Sequence, residues 1–449
     1  MTGSTNLYRT NPDRMKSDRP AGIVKVQACI AYAAALLTPR RLRVQAIILA
    51  LCLWVVCLVD FSTPGPLDRA GNIKFQDFLP IYVSARIIVE DHAAELYNQA
   101  AVAREIQAIV GQPIRARLPF LYGPQVGLLF SPLSRFSFQT AAWAWVALSV
   151  AIFFACIFLV WRCCPTLSSY SALVAGSALA YPPLFHFFVR GQISVLPLAC
   201  FTAAFLAFRA RRDSLAGVLL GILVFKPQFL VAIPLVLLFS RAWRSLSSLA
   251  LSAAAQFLLT RLYFGPAVMH SYFDMLWHIP RWISSAELSL APIQMHSLSS
   301  FWTLLIPWPN FALGLYVLSS IVIIGMAAIA WRSSSPLALR FSVLTLAAVL
   351  VNPHLFIYDL LMLAPAFPLV ADWSLGKVSS SSSLIRVPSI RVLLYLAFLT
   401  PVLGPLSQWT RVQLSVPVFV ALLWILSKNC PLITRPSPAS HNPVPTRSS

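Results

Sequence analysis

Charge is what this sequence has least of. Of 449 residues only 11% are charged, 58% are hydrophobic, and the mean hydropathy is +0.75. A soluble globular domain carries about 25% charged residues, so no water-facing shell can be built from this composition. That excludes an ordinary soluble enzyme and a disordered chain, and leaves a protein that crosses the bilayer repeatedly. Negative charge is scarcest: 14 Asp and Glu stand against 34 Lys and Arg, a net charge of +20. The basic residues sit mostly in short connectors between apolar runs, as the positive-inside rule expects of cytoplasmic loops. No stretch interleaves Lys and Arg with aromatics in the manner of a nucleic-acid groove, so nucleic acid is not an expected partner.

The motifs of several enzyme classes are also missing. The eight cysteines show no C-x-x-C or Cys/His ligand spacing; Cys52, Cys57, Cys156 and Cys200 lie inside apolar runs and Cys163 and Cys164 at a helix end, as small buried residues do. Gly221 and Lys226 do not form a phosphate loop, because Lys226 is followed by Pro227 rather than Ser or Thr. There is no H-E-x-x-H pair and no D-x-D pair to hold a divalent ion against a nucleotide. Neither a metal nor a cofactor is expected.

The pattern along the chain is all-α and polytopic, with about 11–13 transmembrane helices. Residues 1–43 are polar and basic and read as a cytoplasmic N-terminal segment. The run 44–61 starts too far along for a cleaved signal peptide and reads as an uncleaved first span. The polytopic domain occupies 44–427. It is interrupted by a first outer loop at 62–118, which with Asp60 at its margin holds seven of the fourteen acids. A second outer loop at 265–296 is rich in Trp, His and Pro. Residues 379–383 are a serine connector, and the Pro/Ser-rich tail 428–449 reads as disordered. Several apolar runs are shorter than the 20 residues a span needs. Two tracings are open. In one, 120–133 is re-entrant and 215–239 breaks at Lys226-Pro227; in the other, both cross once. The first keeps Arg209, Arg211, Arg212, Arg241, Arg244, Arg332 and Lys377 on the inner side and is preferred.

The segment after Asp77 is the most informative. Phe78, Ile81, Tyr82, Ala85, Ile88 and Val89 follow the spacing of an amphipathic helix lying at the membrane surface. Asp77 is either its N-cap or a carboxylate at the bilayer boundary, where partial desolvation would raise its pKa toward that of a general base. Spacing alone favours the cap.

The string Asp77-Phe78, Tyr82, Ala85-Arg86, followed by Glu95-Leu96-Tyr97, resembles the opening signature of glycosyltransferase family 87. These are bacterial polyprenyl-phosphate-mannose-dependent mannosyltransferases of the C-type membrane fold. Further landmarks follow in order: Phe120-Leu121-Tyr122-Gly123-Pro124 with Ser131-Pro132-Leu133, Gly191-Gln192, Ala216-Gly217 leading to Phe225-Lys226-Pro227, and Asn352-Pro353-His354 with Tyr358-Asp359-Leu360. The resemblance spans roughly residues 75–365. It departs from the pattern at Gly123, where the family often has Pro, at Pro80 inside the first helix, and in lacking a late Trp-Asp-His.

The resemblance implies inverting transfer of a hexose, mannose above all, from a polyprenyl phosphate to a hydroxyl of a lipid-linked or cell-envelope glycan. The site would lie on the outer face of the bacterial inner membrane, with no cofactor. By resemblance Asp77 is the single carboxylate base. Lys226 is the first candidate for the donor phosphate, because a lysine in an apolar run is costly unless it pairs or lines a cavity; an ion pair with a nearby acid, or a side chain that snorkels to the interface, is its alternative. Arg190, Gln192 and His354 are the other candidates for phosphate or sugar. Tyr82, Arg86, Tyr122 and Asp359 are candidates for acceptor or headgroup, with pairing to Lys226 or to an Arg as the alternative for Asp359. The rival from another class is a transporter or flippase of lipid-linked saccharides, but such proteins tend to show matched halves, and no internal repeat is visible here.

Overall fold

A computed structural model describes residues 21–111, 118–279, 291–377 and 386–430. The basic residues of 1–20, the serine connector and the tail beyond Cys430 lie outside the described residues, as do 112–117 and 280–290 of the two outer loops. α-Helices and short 3-10 segments make up the fold of the described residues. Among the described residues strand pairing is limited to two isolated bridges, Leu67 with Ile73 and Met295 with Phe356.

Among the described residues four helices are individually long and apolar enough to cross a membrane: Pro39–Phe61, Phe138–Trp161, Pro309–Arg332 and Val387–Thr410. Local chemistry fixes where three of them begin. Thr38 caps Pro39–Phe61 by accepting from Arg41 N, Ser137 caps Phe138–Trp161 by accepting from Thr140 N, and Pro309 occupies the first turn of the third, where a missing N–H costs nothing. A fifth crossing results if Pro165–Leu179 and Pro182–Arg190, which meet at 46°, form one bent span. Seven shorter apolar helices complete the set. The expected count of 11–13 therefore exceeds what helix length alone supports among the described residues, because proline and glycine divide many of the runs. The sides left exposed carry large apolar residues, among them Leu51, Val55, Leu58, Leu258, Leu262, Leu318 and Ile321, as a lipid-facing surface requires. The chain is an all-α polytopic membrane protein.

Three local outcomes differ from the sequence pattern or resolve it. Residues 21–36, inside the basic N-terminal segment, form a helix that packs on Arg386–Leu399. The run 215–239 does break at Lys226, which leaves helical geometry at φ −132°, ψ 72° between two 3-10 turns. The start of the polar segment 265–296, expected as a loop, continues the helix Trp243–Trp277, bent at Gly265 (φ 81°). That helix lies close against Asp213–Gly221. A methyl group on Gly217 would stand 2.2 Å from Ser245 O and one on Gly221 2.5 Å from Leu249 O, so the pair uses the small-residue contact that membrane helices favour.

Candidate functional site

The helix expected after Asp77 is present as Leu79–Val89. Its surroundings are more enclosed than an interfacial stripe requires: Leu79, Ile81, Val83 and Ala85 are all fully buried. Asp77 is not its cap. Phe78 holds that position and no side chain caps the helix. The preceding turn is pinned to the end of Pro182–Arg190 instead, with Phe75 N donating to Val189 O (3.3 Å) and Asp77 N to Arg190 O (3.0 Å). Gly191 makes this approach possible. Its φ of +66° suits glycine, and a methyl group there would lie 2.8 Å from Phe75 Cβ. Phe61, Phe75, Trp143 and Phe188 pack edge-to-face around the turn.

The Asp77 carboxylate points the other way, into a polar cluster. Gln192 Nε2 donates to Asp77 Oδ2 at 2.7 Å, and Arg190 Nη1 stands 3.8 Å from Oδ1. The orientation of the Gln192 amide follows from its partners. Tyr122 Oη (3.1 Å) and Ile193 N (3.2 Å) both donate to Oε1, which turns the amide donors toward Asp77. Trp145 Nε1 donates to Gln192 O and Tyr97 Oη to Tyr122 O, so the frame is itself held. Burial pushes the Asp77 carboxyl above the usual carboxylate range; Arg190, Gln192 and Lys226 pull it down, and Asp359 adds to the rise. The side chain is nonetheless 17% accessible. A carboxylate that is oriented, partly desolvated and still reachable has the properties of a general base.

A second pair lies beside it. Lys226 Nζ is bound to Asp359 Oδ1, both side chains are buried, and Ser194 completes the triangle. Ser194 Oγ donates to Asp359 Oδ1 (2.6 Å) and accepts from Lys226 Nζ (3.1 Å). Lys226 therefore takes the ion-pair option, and Asp359 is its partner. Lys226 Nζ also lies 5.6 Å from the ring of Tyr358, which stacks on Phe356, which in turn meets the edge of His354. Burial holds the His354 imidazole below its ordinary value; Asp359 pulls upward and Lys226 downward. Its backbone N–H donates to Asn352 Oδ1. The end of the polar segment 265–296 meets the same segment, with His296 N donating to Leu355 O.

Seven of the nine candidate residues thus share one neighbourhood: Asp77, Arg190, Gln192, Tyr122, Lys226, Asp359 and His354. The structure does not bring Tyr82 and Arg86 to it. Tyr82 Oη donates to Phe136 O at 2.7 Å and its ring packs on Phe138. Arg86 pairs with Glu90 (3.1 Å) and Glu105 (3.8 Å) on the outside of the loop. Helical spacing placed both near Asp77, but the carboxylate leaves the helix face they occupy. Ser194 and Tyr358 belong to the cluster and were missed. Their signal was proximity in sequence, since Tyr358 precedes Asp359 and Ser194 stands two residues after Gln192. Among the described residues no group of His, Cys, Asp and Glu could hold a metal ion.

The model of glycosyltransferase family 87 matches residues 120–353, just over half of the chain. No curated protein and no solved structure matches it. The matched region holds Tyr122, Arg190, Gln192, Ser194 and Lys226, the residues that bracket Asp77 and Asp359. The chain belongs to glycosyltransferase family 87 and is a membrane glycosyltransferase.

Proposed function

We propose that the protein transfers a hexose, mannose above all, from a polyprenyl phosphate to a hydroxyl of a lipid-linked or cell-envelope glycan. Transfer takes place at the outer face of the cell membrane and inverts the anomeric carbon. The observation that carries this reading is the Asp77 carboxylate, raised in pKa by burial, oriented by Gln192 and still accessible. Asp77 accepts the proton of the acceptor hydroxyl as its oxygen bonds to the anomeric carbon. The bond from that carbon to the phosphate oxygen breaks on the opposite side, and the polyprenyl phosphate departs with the electron pair.

Cations stabilise the charge that grows on the departing phosphate. Arg190 is best suited to touch it, because 39% of its side chain is accessible. Lys226, held by Asp359, contributes chiefly through its field. Neutral His354 and Tyr122 suit the sugar hydroxyls. Purified protein in vesicles, given radiolabelled polyprenyl-phosphate-mannose and candidate glycolipid acceptors, tests the reading. A labelled glycan formed with release of polyprenyl phosphate is expected. Movement of the donor across the bilayer with no product from any acceptor would favour a flippase instead.

A further inference from the structure

A cavity of about 550 Å³ lies between the helices Pro39–Phe61, Ser171–Leu179, Ala366–Gly376 and Arg386–Leu399. Its walls are mostly apolar, for example Leu42, Leu49, Val174, Phe367 and Leu394, with Gln45, Ser177 and Ser374 among the few polar side chains. Protein interiors leave few voids larger than a water molecule, and an apolar one of ligand size does not hold water. Within a bilayer, such a space takes hydrocarbon.

The two ends of the cavity differ. One end is closed by Tyr181, whose hydroxyl donates to Leu360 O and whose ring packs against Phe367 and Phe398. The other end carries Arg391, half-buried, with its buried Nε lacking any hydrogen-bond partner. Leu37, Pro39 and Leu42 line the cavity beside exposed Arg40, Arg41 and Arg43. A guanidinium in a hydrocarbon setting is costly unless an anion meets it. The site therefore fits both halves of one amphiphile, a hydrocarbon chain and an anionic headgroup.

The position of Arg391 identifies the amphiphile. Its helix continues through Thr400–Leu406 to Ser407, whose hydroxyl donates to Ile293 O in the second outer loop, so Arg391 lies at the far end from that loop and the Asp77 cluster. Pro39–Phe61 measures the separation: its 23 residues span about 34 Å, from the cavity mouth at Pro39 to Phe61, which packs on Phe75. A polyprenyl phosphate delivering sugar to Asp77 cannot also place its phosphate on Arg391. We propose that this cavity is a binding site for an anionic glycerophospholipid of the leaflet opposite the Asp77 cluster. One acyl chain fills the cavity, and the phosphate is held by Arg391 with Arg40, Arg41 and Arg43 around it. The proposal is independent of the donor and acceptor assigned to the transfer reaction.

Delipidated full-length protein in neutral detergent is titrated with phosphatidylglycerol, phosphatidylcholine of the same chains, polyprenyl phosphate or inorganic phosphate. Retained lipid is read by native mass spectrometry and stability by Tm. Phosphatidylglycerol should be retained and raise Tm, phosphatidylcholine should bind roughly five- to tenfold more weakly, and inorganic phosphate should do nothing. Arg391→Gln should erase the preference between the two phospholipids, and Ala371→Phe, which fills the cavity, should lower retention of both. The Arg391→Gln result decides if Ala371→Phe does not fold. Equal retention of the two phospholipids by the unaltered protein, a preference that survives Arg391→Gln, or Arg391-dependent retention of polyprenyl phosphate in place of phosphatidylglycerol would each overturn the proposal.

Discussion

Gln192 donates to Asp77 Oδ2 at 2.7 Å while its own Oε1 receives hydrogen bonds from Tyr122 and Ile193. Turning the amide over would set donors against donors and leave a carboxylate facing a carbonyl oxygen, so the contact is locked in one sense. It also lowers the Asp77 pKa against the larger effect of burial. Gln192→Leu should therefore reduce transfer by about 10²-fold, the scale of a misplaced reacting group. It should also move the acidic limb of the pH–rate profile to higher pH. A profile unchanged in position would show that the amide does not act on the base.

The same reasoning fixes the pH dependence of the unaltered enzyme. A base works deprotonated, so transfer rises as pH passes the folded pKa of Asp77, and burial places that rise above the range of an ordinary aspartate. Arg190 holds the value down. Arg190→Gln should shift the limb further upward and, through loss of its contact with the donor phosphate, also raise KM for the donor. Initial rates from pH 4 to 9 in vesicles, at varied donor concentration, separate the two effects.

Lys226 and Asp359 are a buried pair in which neither partner is tolerated alone. Lys226→Met leaves a carboxylate buried with only Ser194 as partner, and Asp359→Leu leaves a buried ammonium; each should destabilise by about 3–5 kcal/mol. The double variant Lys226→Met/Asp359→Leu should recover much of that loss, because an apolar pair of similar volume is often neutral. Thermal unfolding of the three variants in one detergent measures the coupling, and additive losses would contradict it.

Gly191 tests the backbone that carries the site. Its left-handed φ and the approach of Phe75 leave no room for a side chain. Gly191→Ala should cost about 1–3 kcal/mol from strain at this position and shift the turn that delivers Asp77. Tm and transfer should fall together, whereas Gly314→Ala, in a helix interior with nothing within 4 Å, should lower neither.

Much of this site was legible in the sequence because charge is rare in it. A lysine at 226 and an acid at 359, each in an apolar run, had to be paired or placed in a cavity, and they pair with each other. Asp77 stood out by the resemblance of its motif, since it lies in the loop that holds half of the acids. Pairing across 133 positions was one of several alternatives that the sequence left open, and the direction of the Asp77 side chain was not legible. Asp is a good cap by local rules, and only the docking of its turn onto Val189 and Arg190 shows that the carboxylate serves another purpose. Tyr82 and Arg86 were placed by helical spacing alone, which cannot say that Asp77 faces away from their helix. Ser194 carries no local signal beyond its place two residues after Gln192. The class of fold was clear from hydropathy, but the number of crossings was not, because runs divided by proline and glycine fold as short helices whose pairing is a tertiary matter.

The most direct test is transfer by Asp77→Asn, measured with the same labelled donor and acceptor as the unaltered enzyme, beside Tm and donor binding. Asparagine keeps an acceptor for Gln192 but cannot take a proton. Because burial raises the folded pKa, Asp77 in its charged form opposes folding as pH rises through that value, so the variant should lose no Tm near pH 7. The account predicts transfer reduced by about 10²–10⁴-fold with folding and donor binding retained. Transfer near the unaltered rate would contradict it.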